Sequence, residues 1–258
     1  VRITSDVQLY SEEARWPNLL VTGSNGKTTV TTLLGEILSA AGKQVFVGGN
    51  IGTPVLDSLL SGNAYSCAVL ELSSFQLELI EGLTAIAAVI LNVTPDHMDR
   101  YDTFAEYRAA KAHIYDGAGC RVYWRDDPCL DGYLSPVTDD IAFGLSEPMA
   151  KNDYGLRDSG GDQTICRAEE PLLAVSKLAV RGNHNVLNVM ACWAMAHQAG
   201  VDDSVIAKVV SAFSGLPHRM QVVGSWRGVT WINDSKATNI GATSAALDGF
   251  SDPVILLA

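Results

Sequence analysis

The sequence predicts an α/β protein with a mostly parallel, doubly wound sheet. A small antiparallel excursion is attached to that sheet, and the start of a second α/β unit follows. Three observations carry this prediction. From Leu19 to about Ala118, short apolar runs alternate with helix-like stretches. Ala85–Leu91 is an unbroken apolar run, as in a strand covered by helices on both faces. A glycine-rich segment, Gly23-Ser24-Asn25-Gly26, joins one such strand to one such helix.

The elements follow in order. Residues 1–18 read as a linker, 19–216 as the main unit and 217–258 as the truncated beginning of another. Leu19–Thr22 is a strand, and Thr29–Ala41 is a helix ended by Gly42. Gln44–Val47, Cys67–Leu70 and Ala85–Val93 are further strands. Between Arg121 and Lys177 lie short β-like pieces (Val122–Trp124, Ile141–Phe143, Thr164–Arg167, Leu172–Val175) separated by Asp, Pro and Gly. They predict the antiparallel excursion. Asn183–Ala199, closed by Gly200, and Ser204–Phe213 are helical. Met220–Val223 and Val229–Ile232 flank Gly224–Gly228 as a hairpin, a helix follows near Thr243–Leu247, and Pro253–Ala258 reads as a final strand.

Composition bounds the function. Among 258 residues, Lys and Arg number 18 and Asp and Glu 29, a formal charge of −11. A surface of that sign does not suit nucleic acid, though local basic groups still suit a small phosphorylated ligand. The longest apolar run is far short of the ~20 residues a membrane span needs. No basic stretch followed by an apolar core opens the chain, so no signal peptide is expected. Five scattered cysteines, none in a C-x-x-C pair, argue against a disulfide framework or a zinc site and for a reducing compartment.

The polar constellations sit at strand ends. Thr22-Gly23-Ser24-Asn25-Gly26-Lys27-Thr28-Thr29 lies between a strand and a helix. Glycines let the backbone wrap a phosphate, the helix start offers free N–H groups, Lys27 reaches the terminal phosphates and Thr28 ligates Mg²⁺. Val21 stands where the longer form of this loop has glycine, so the loop is a shorter variant. Gly48-Gly49-Asn50-Ile51-Gly52 is either a ligand-approach loop with Asn50 as donor or a plain flexible one. Glu71 is a candidate Mg²⁺ ligand or a capping carboxylate. Asp96 and His97 follow the next strand on the same rim. Lys111 falls on the apolar stripe of Phe104, Tyr107 and Ile114: either it snorkels, or burial lowers its pKa and leaves a neutral, reactive amine. Asn183 or Asn185 suits a helix N-cap, while Asn185 and Asn188 share a face that suits a base edge. Arg219 and Asp234–Asn239 are the remaining polar groups.

These segments together resemble the Mur ligases. The carrying motifs are TGSNGKTT (22–29), GGNIG (48–52), ELSSFQLE (71–78), DHMDRY (96–101) with YRAAK (107–111), GNHNVLN (182–188), GLPHR (215–219) and NDSKATN (233–239). ELSSFQLE and DHMDRY point to the D-glutamate-adding branch; the short phosphate loop is shared with folylpolyglutamate synthases. The resemblance implies a P-loop ATPase domain over 19–216, preceded by a linker from a UDP-binding domain. It also implies the truncated start of a Rossmann-like amino-acid-binding domain over 217–258. The implied activity is ATP-dependent amide ligation of D-glutamate to UDP-N-acetylmuramoyl-L-alanine, through an acyl phosphate, by a cytoplasmic monomer. In that scheme Lys27, His97 and Lys111 are catalytic. Gly23, Ser24, Asn25, Gly26, Lys27, Thr28, Thr29, Asn185, Asn188, Arg219 and Asp234 contact ATP. Asn50, Ser73, His97, Lys236 and Thr238 contact the acceptor or D-glutamate. Thr28, Glu71, His97 and a CO₂-carbamylated Lys111 hold two Mg²⁺. A nucleotide-binding unit without turnover is the non-catalytic alternative.

Overall fold

The chain enters through helix α1 (Asp6–Glu13), where the Ser5 hydroxyl accepts from the Gln8 N–H as N-cap. Val7 and Tyr10 are buried. The Tyr10 hydroxyl donates to Asn18 Oδ1 at 2.7 Å and accepts from Trp16 Nε1 at 2.7 Å. The expected linker is therefore a packed helix, because its apolar face has a sheet to cover. The computed structural model describes residues 4–130, 140–158, 160–247, 250 and 252–257, so residues 1–3 lie outside this account.

From there strands and helices alternate. The first six elements are β1 (Asn18–Thr22), α2 (Lys27–Ala40), β2 (Val45–Gly49), α3 (Val55–Leu60), β3 (Cys67–Glu71) and α4 (Ser74–Leu77). Then come β4 (Ala87–Ile90), α5 (Phe104–Ala112), β5 (Arg121–Trp124), β6 (Ile141–Phe143), β7 (Tyr154–Asp158), β8 (Gln163–Arg167) and β9 (Glu170–Ala174). Nine strands form one sheet in the order β2-β3-β1-β4-β5-β6-β7-β8-β9. Successive side chains of β1 serve opposite faces. Leu19 and Val21 join a core built with Val30, Leu34 and Ile37 of α2 and with helix α6 (Asn183–Gln198). Leu20 joins the other core, with Val7, Tyr10, Tyr107 and Ile114. Such two-sided burial explains why these strands read as continuous apolar runs.

The excursion differs from its expectation. β5 pairs parallel with β4, and β6 pairs parallel with β5. Antiparallel pairing begins only at β7–β8 and continues at β8–β9. Parallel pairing thus continues through β6–β7, and β7 itself was not foreseen. The expected strand Ala85–Val93 is shorter, because Leu91–Val93 leave the ladder and turn toward the glycine-rich loop.

Beyond helix α7 (Asp203–Ala212), strands β10 (Gln221–Trp226) and β11 (Val229–Asn233) make a separate antiparallel pair. Its turn is only Arg227-Gly228, both at positive φ (51° and 77°), the two-residue hairpin geometry. Gly224 lies inside β10, opposite Trp231 and beside a bulge, rather than in the turn. Helix α8 (Ile240–Leu247) follows. The expected closing strand is absent among the described residues: 253–257 pair with nothing, and Ile255 is 85% exposed. Its last residue, Ala258, lies outside them. No helix of the described residues is long and apolar enough to cross a membrane. None of the five cysteines, all among the described residues, is in a disulfide.

Candidate active site

The carboxyl ends of β1, β3 and β4 meet where chain order reverses: β1 leads outward toward β2, and β3 leads back across β1 to β4. Open α/β sheets bind ligands at such a point. Val21 lies inside β1, paired with Glu71 and Val89, so the glycine-rich loop begins only at Gly23. Gly26 has φ 86°, and a Cβ there would stand 2.7 Å from Asn188 Oδ1. Only glycine accommodates both constraints. Lys27, Thr28 and Thr29 then form the first turn of α2, whose leading N–H groups have no intrahelical acceptor and favour an anion.

Two lysines converge on one carbonyl. Lys27 Nζ donates to Gly23 O at 2.8 Å and Ser24 O at 2.9 Å, while Lys111 Nζ donates to Gly23 O at 3.0 Å. Burial pushes the Lys27 ammonium below its ordinary pKa, with Glu71 and Asp96 pulling it back. Lys111, 2% exposed, is lowered to about 7, first by burial and then by the charge of Lys27. The Lys111 amine also sits over the Tyr107 ring, 4.7 Å from its centroid. Of the two readings open for Lys111, the structure takes burial.

Glu71, at the end of β3, is also 2% exposed. Its Oε1 accepts from Asn50 Nδ2 at 3.1 Å, and Asn50 N–H donates to the Glu71 carbonyl at 2.8 Å. Its Oε2 is buried with no partner among the described residues. A buried polar oxygen left without a partner is costly. A hard divalent cation is the partner its chemistry fits. Thr28 Oγ1 accepts from Arg219 Nη2 at 2.9 Å, so the segment after α7 reaches back to the phosphate loop. Among the described residues, no three His, Cys, Asp or Glu side chains are gathered to hold a metal by themselves. A cation held by Glu71 would need oxygen ligands beyond carboxylates.

The other expected residues divide. Ser24, Asn25, Thr29 and Asn188 line the loop or pack on it. Asn183 is not the N-cap, which is Gly182, and Asn185 Nδ2 donates to Arg181 O at 2.7 Å. Ser73 caps α4 in a reciprocal box with Gln76, so its hydroxyl is engaged locally. His97 adopts φ 54° with a half-exposed ring. That ring lies 5.1 Å from the Phe75 ring and its Nε2 3.8 Å from Asp96 Oδ2. Asp234 Oδ1 accepts from Met220 N–H at 3.0 Å, beside Arg219. Lys236 and Thr238 are exposed on the turn before α8. Three residues had no role assigned from sequence: Asn92 and Tyr107, which hold the phosphate loop, and Asn239, which bonds Asn25 and Asp96. Their only trace in the sequence is position, at a strand end, on a buried stripe and before a helix.

The chain matches the Mur ligase middle domain over residues 21–196. It is 45% identical over 249 residues to the UDP-N-acetylmuramoylalanine--D-glutamate ligase of Legionella pneumophila (strain Paris), covering 96% of this chain and 56% of that relative. The Shewanella oneidensis protein of the same name is 45% identical over 270 residues, covering 100% of this chain and 58% of the relative. The solved MurF ligase of Thermotoga maritima, in complex with ADP, has the same fold at a TM-score of 0.72 and 20% identity. That match covers 94% of this chain and 58% of that one. The chain thus spans little more than half the length of the curated relatives it matches. On the match of residues 21–196, the chain belongs to the Mur ligase family.

Proposed function

We propose that this chain carries the ATP-using centre of a ligase that joins D-glutamate to UDP-N-acetylmuramoyl-L-alanine in the cytoplasm. In this reading residues 19–216 form the ATP-binding domain and 217–258 begin the domain that binds the amino acid. The observation that carries the reading is the cluster of half-buried Lys27 with buried Lys111 and Glu71 around the start of α2, at the reversal point of the sheet. Relatives 45% identical bear that ligase name, and a solved neighbour of the same fold holds ADP.

The residues then have these tasks. The N–H groups opening α2 cradle the phosphates, and Lys27 leaves its loop carbonyls to follow the γ-phosphoryl group. Arg219, Asn185, Asn188 and Asp234 border the nucleotide. An oxygen of the alanyl carboxylate attacks the γ-phosphorus, and ADP departs. The D-glutamate amine, bordered by Lys236 and Thr238, attacks the acyl carbon; phosphate leaves and the nitrogen loses a proton. Asn50, Ser73 and His97 face the UDP-sugar. Thr28 and Glu71 would hold one Mg²⁺, and His97 with a carbamylated Lys111 a second; such ions neutralise charge on the transferring group. Carbamylation needs the free amine that burial provides at Lys111: its lone pair adds to CO₂ and a proton is released. Positioning and charge neutralisation supply most of the rate.

Phosphate release from ATP·Mg²⁺ tests this, with UDP-N-acetylmuramoyl-L-alanine present and D-glutamate replaced in turn by L-glutamate, L-alanine or D-alanine. Release only with D-glutamate, and a product heavier by one glutamyl unit, is expected. Release with another acceptor, or with a folate in place of the UDP-sugar, would move the chain to a sister ligase. ATP binding without release under any pairing would leave a nucleotide-binding unit.

A further inference from the structure

We propose that Asn92 is the positioning residue that sets the shape of the phosphate loop, acting through the backbone of Asn25. This rests on the nucleotide-site reading above. Asn92 follows β4 by two residues and touches no other candidate role. Its side-chain amide pairs with the Asn25 main chain on both sides: Asn25 N–H donates to Asn92 Oδ1 at 2.9 Å, and Asn92 Nδ2 donates to Asn25 O at 3.0 Å.

The pairing continues the sheet by other means. β1 and β4 are parallel neighbours up to Thr22 and Ile90. Past those residues the two chains stay laced: Leu91 N–H donates to Thr22 O at 3.0 Å and Ser24 N–H to Asn92 O at 2.9 Å. Then the backbone of the loop turns away, and the Asn92 amide replaces the missing strand partner. One step further, Ser24 Oγ donates to Thr94 O at 2.9 Å and accepts from Thr94 N–H at 3.0 Å. Because the single Ser24 hydroxyl proton is spent on Thr94, the Tyr107 hydroxyl, 3.0 Å away, is the donor in its bond to Ser24. Burial lifts that phenol to about 12, so it keeps its proton at neutral pH. Behind Asn92, the buried Asp127 carboxylate accepts from Val93 N–H at 2.8 Å and holds the whole segment in place.

The consequence lies at the next residue. Asn25 has its N–H and C=O both tied, so the peptide plane between it and Gly26 is fixed. Gly26 takes φ 86°, and the N–H groups that follow are left facing outward at the start of α2. A loop without the clamp still folds, but it must order those donors when the anion arrives, which weakens binding.

The test exploits the chemistry of an amide. Asn92→Asp is isosteric: its protonated carboxyl supplies one donor and one acceptor, as the amide does, whereas its ionised form puts an oxygen against the Asn25 carbonyl. Asn92→Ala removes both bonds at every pH. Binding of ATP·Mg²⁺ to the chain is measured by calorimetry from pH 5 to 8, with circular dichroism to check folding. We expect Asn92→Ala to bind about tenfold more weakly throughout. Asn92→Asp should bind at least as weakly at pH 8 and approach wild-type affinity as pH falls. Wild-type affinity of both variants at all pH overturns the proposal, as does loss in Asn92→Asp without recovery at low pH. If the wild-type chain itself fails to bind, the nucleotide reading falls, and this proposal with it.

Discussion

Lys111 shares its helix face with Tyr107 and Ala110, all three buried, and hydrogen-bonds a carbonyl of the phosphate loop rather than solvent. Its folded pKa of about 7 lies below the 10.5 of a free lysine. Between those values the unfolded chain holds a proton that the folded chain does not, so stability rises with pH across that window. Below about 7 both states are charged, and the cost of burying the ammonium is felt in full. Lys111→Met, which removes the amine, should therefore stabilise the fold by about 1–3 kcal/mol at pH 6. That gain should shrink steadily toward pH 10. Urea unfolding at pH 6, 8 and 9.5 measures it, and a gain independent of pH would contradict a titrating buried amine. The stripe of Phe104, Tyr107 and Ile114 left burial and snorkelling both open, and only the fold decides for burial. The charge of Lys27 beside it was not legible either, because Lys27 is brought near only by the fold. At Lys27, Lys27→Ala should lower turnover by about 10²–10³, the scale of one transition-state charge contact.

Helix α8 shows how an element is tied to the site through one side chain. Asn239 Oδ1 accepts from Ala242 N–H at 2.8 Å as an N-cap. Its Nδ2 donates to Asn25 Oδ1 and to Asp96 Oδ2, both at 3.1 Å. Asn239→Ala loses cap and tie together, and the cap alone is worth about 1 kcal/mol. Amide exchange in α8 should accelerate about fivefold. Asn239→Asp keeps the acceptor but sets a second carboxylate beside Asp96, so it should keep α8 protected while the loop loosens. Comparable exchange of α8 in both variants would mean that the Asn239 cap is not what protects the helix. Helix α2 is held differently, by packing: Leu34 is fully buried against the sheet. Leu34→Ala should cost about 2–5 kcal/mol in denaturant unfolding. The periodic apolar residues of α2 announced that packing, whereas nothing near Asn239 announced a partner 214 residues away.

Across the whole molecule, burial is uneven. The central strands β1, β3 and β4 are buried on both faces, while the β10–β11 pair is solvent-exposed along most of its length, with Trp226 61% and Trp231 46% exposed. An isolated hairpin is marginal by itself. Here Arg219, Asp234 and Asn239 anchor its base. Acrylamide should quench Trp226 and Trp231 and spare the fully buried Trp193. The double variant Trp226→Phe, Trp231→Phe should lose most of the quenchable emission; unchanged quenching would mean the hairpin is covered.

What the sequence determined by itself is what short-range chemistry encodes. Apolar runs marked the covered strands. The Gly23–Thr29 segment marked the turn from β1 into α2, whose opening N–H groups favour an anion. Strand-end carboxylates and a lysine on an apolar stripe marked the residues around it. Tertiary structure decided the rest: that β5 and β6 run parallel, that Glu71 Oε2 is buried without a partner, and that Asn92 clamps Asn25. Strand direction depends on which ladder a strand finds. A side-chain amide bonded to backbone 67 residues away leaves no local pattern, because its partner is chosen by the sheet that brings the two chains side by side.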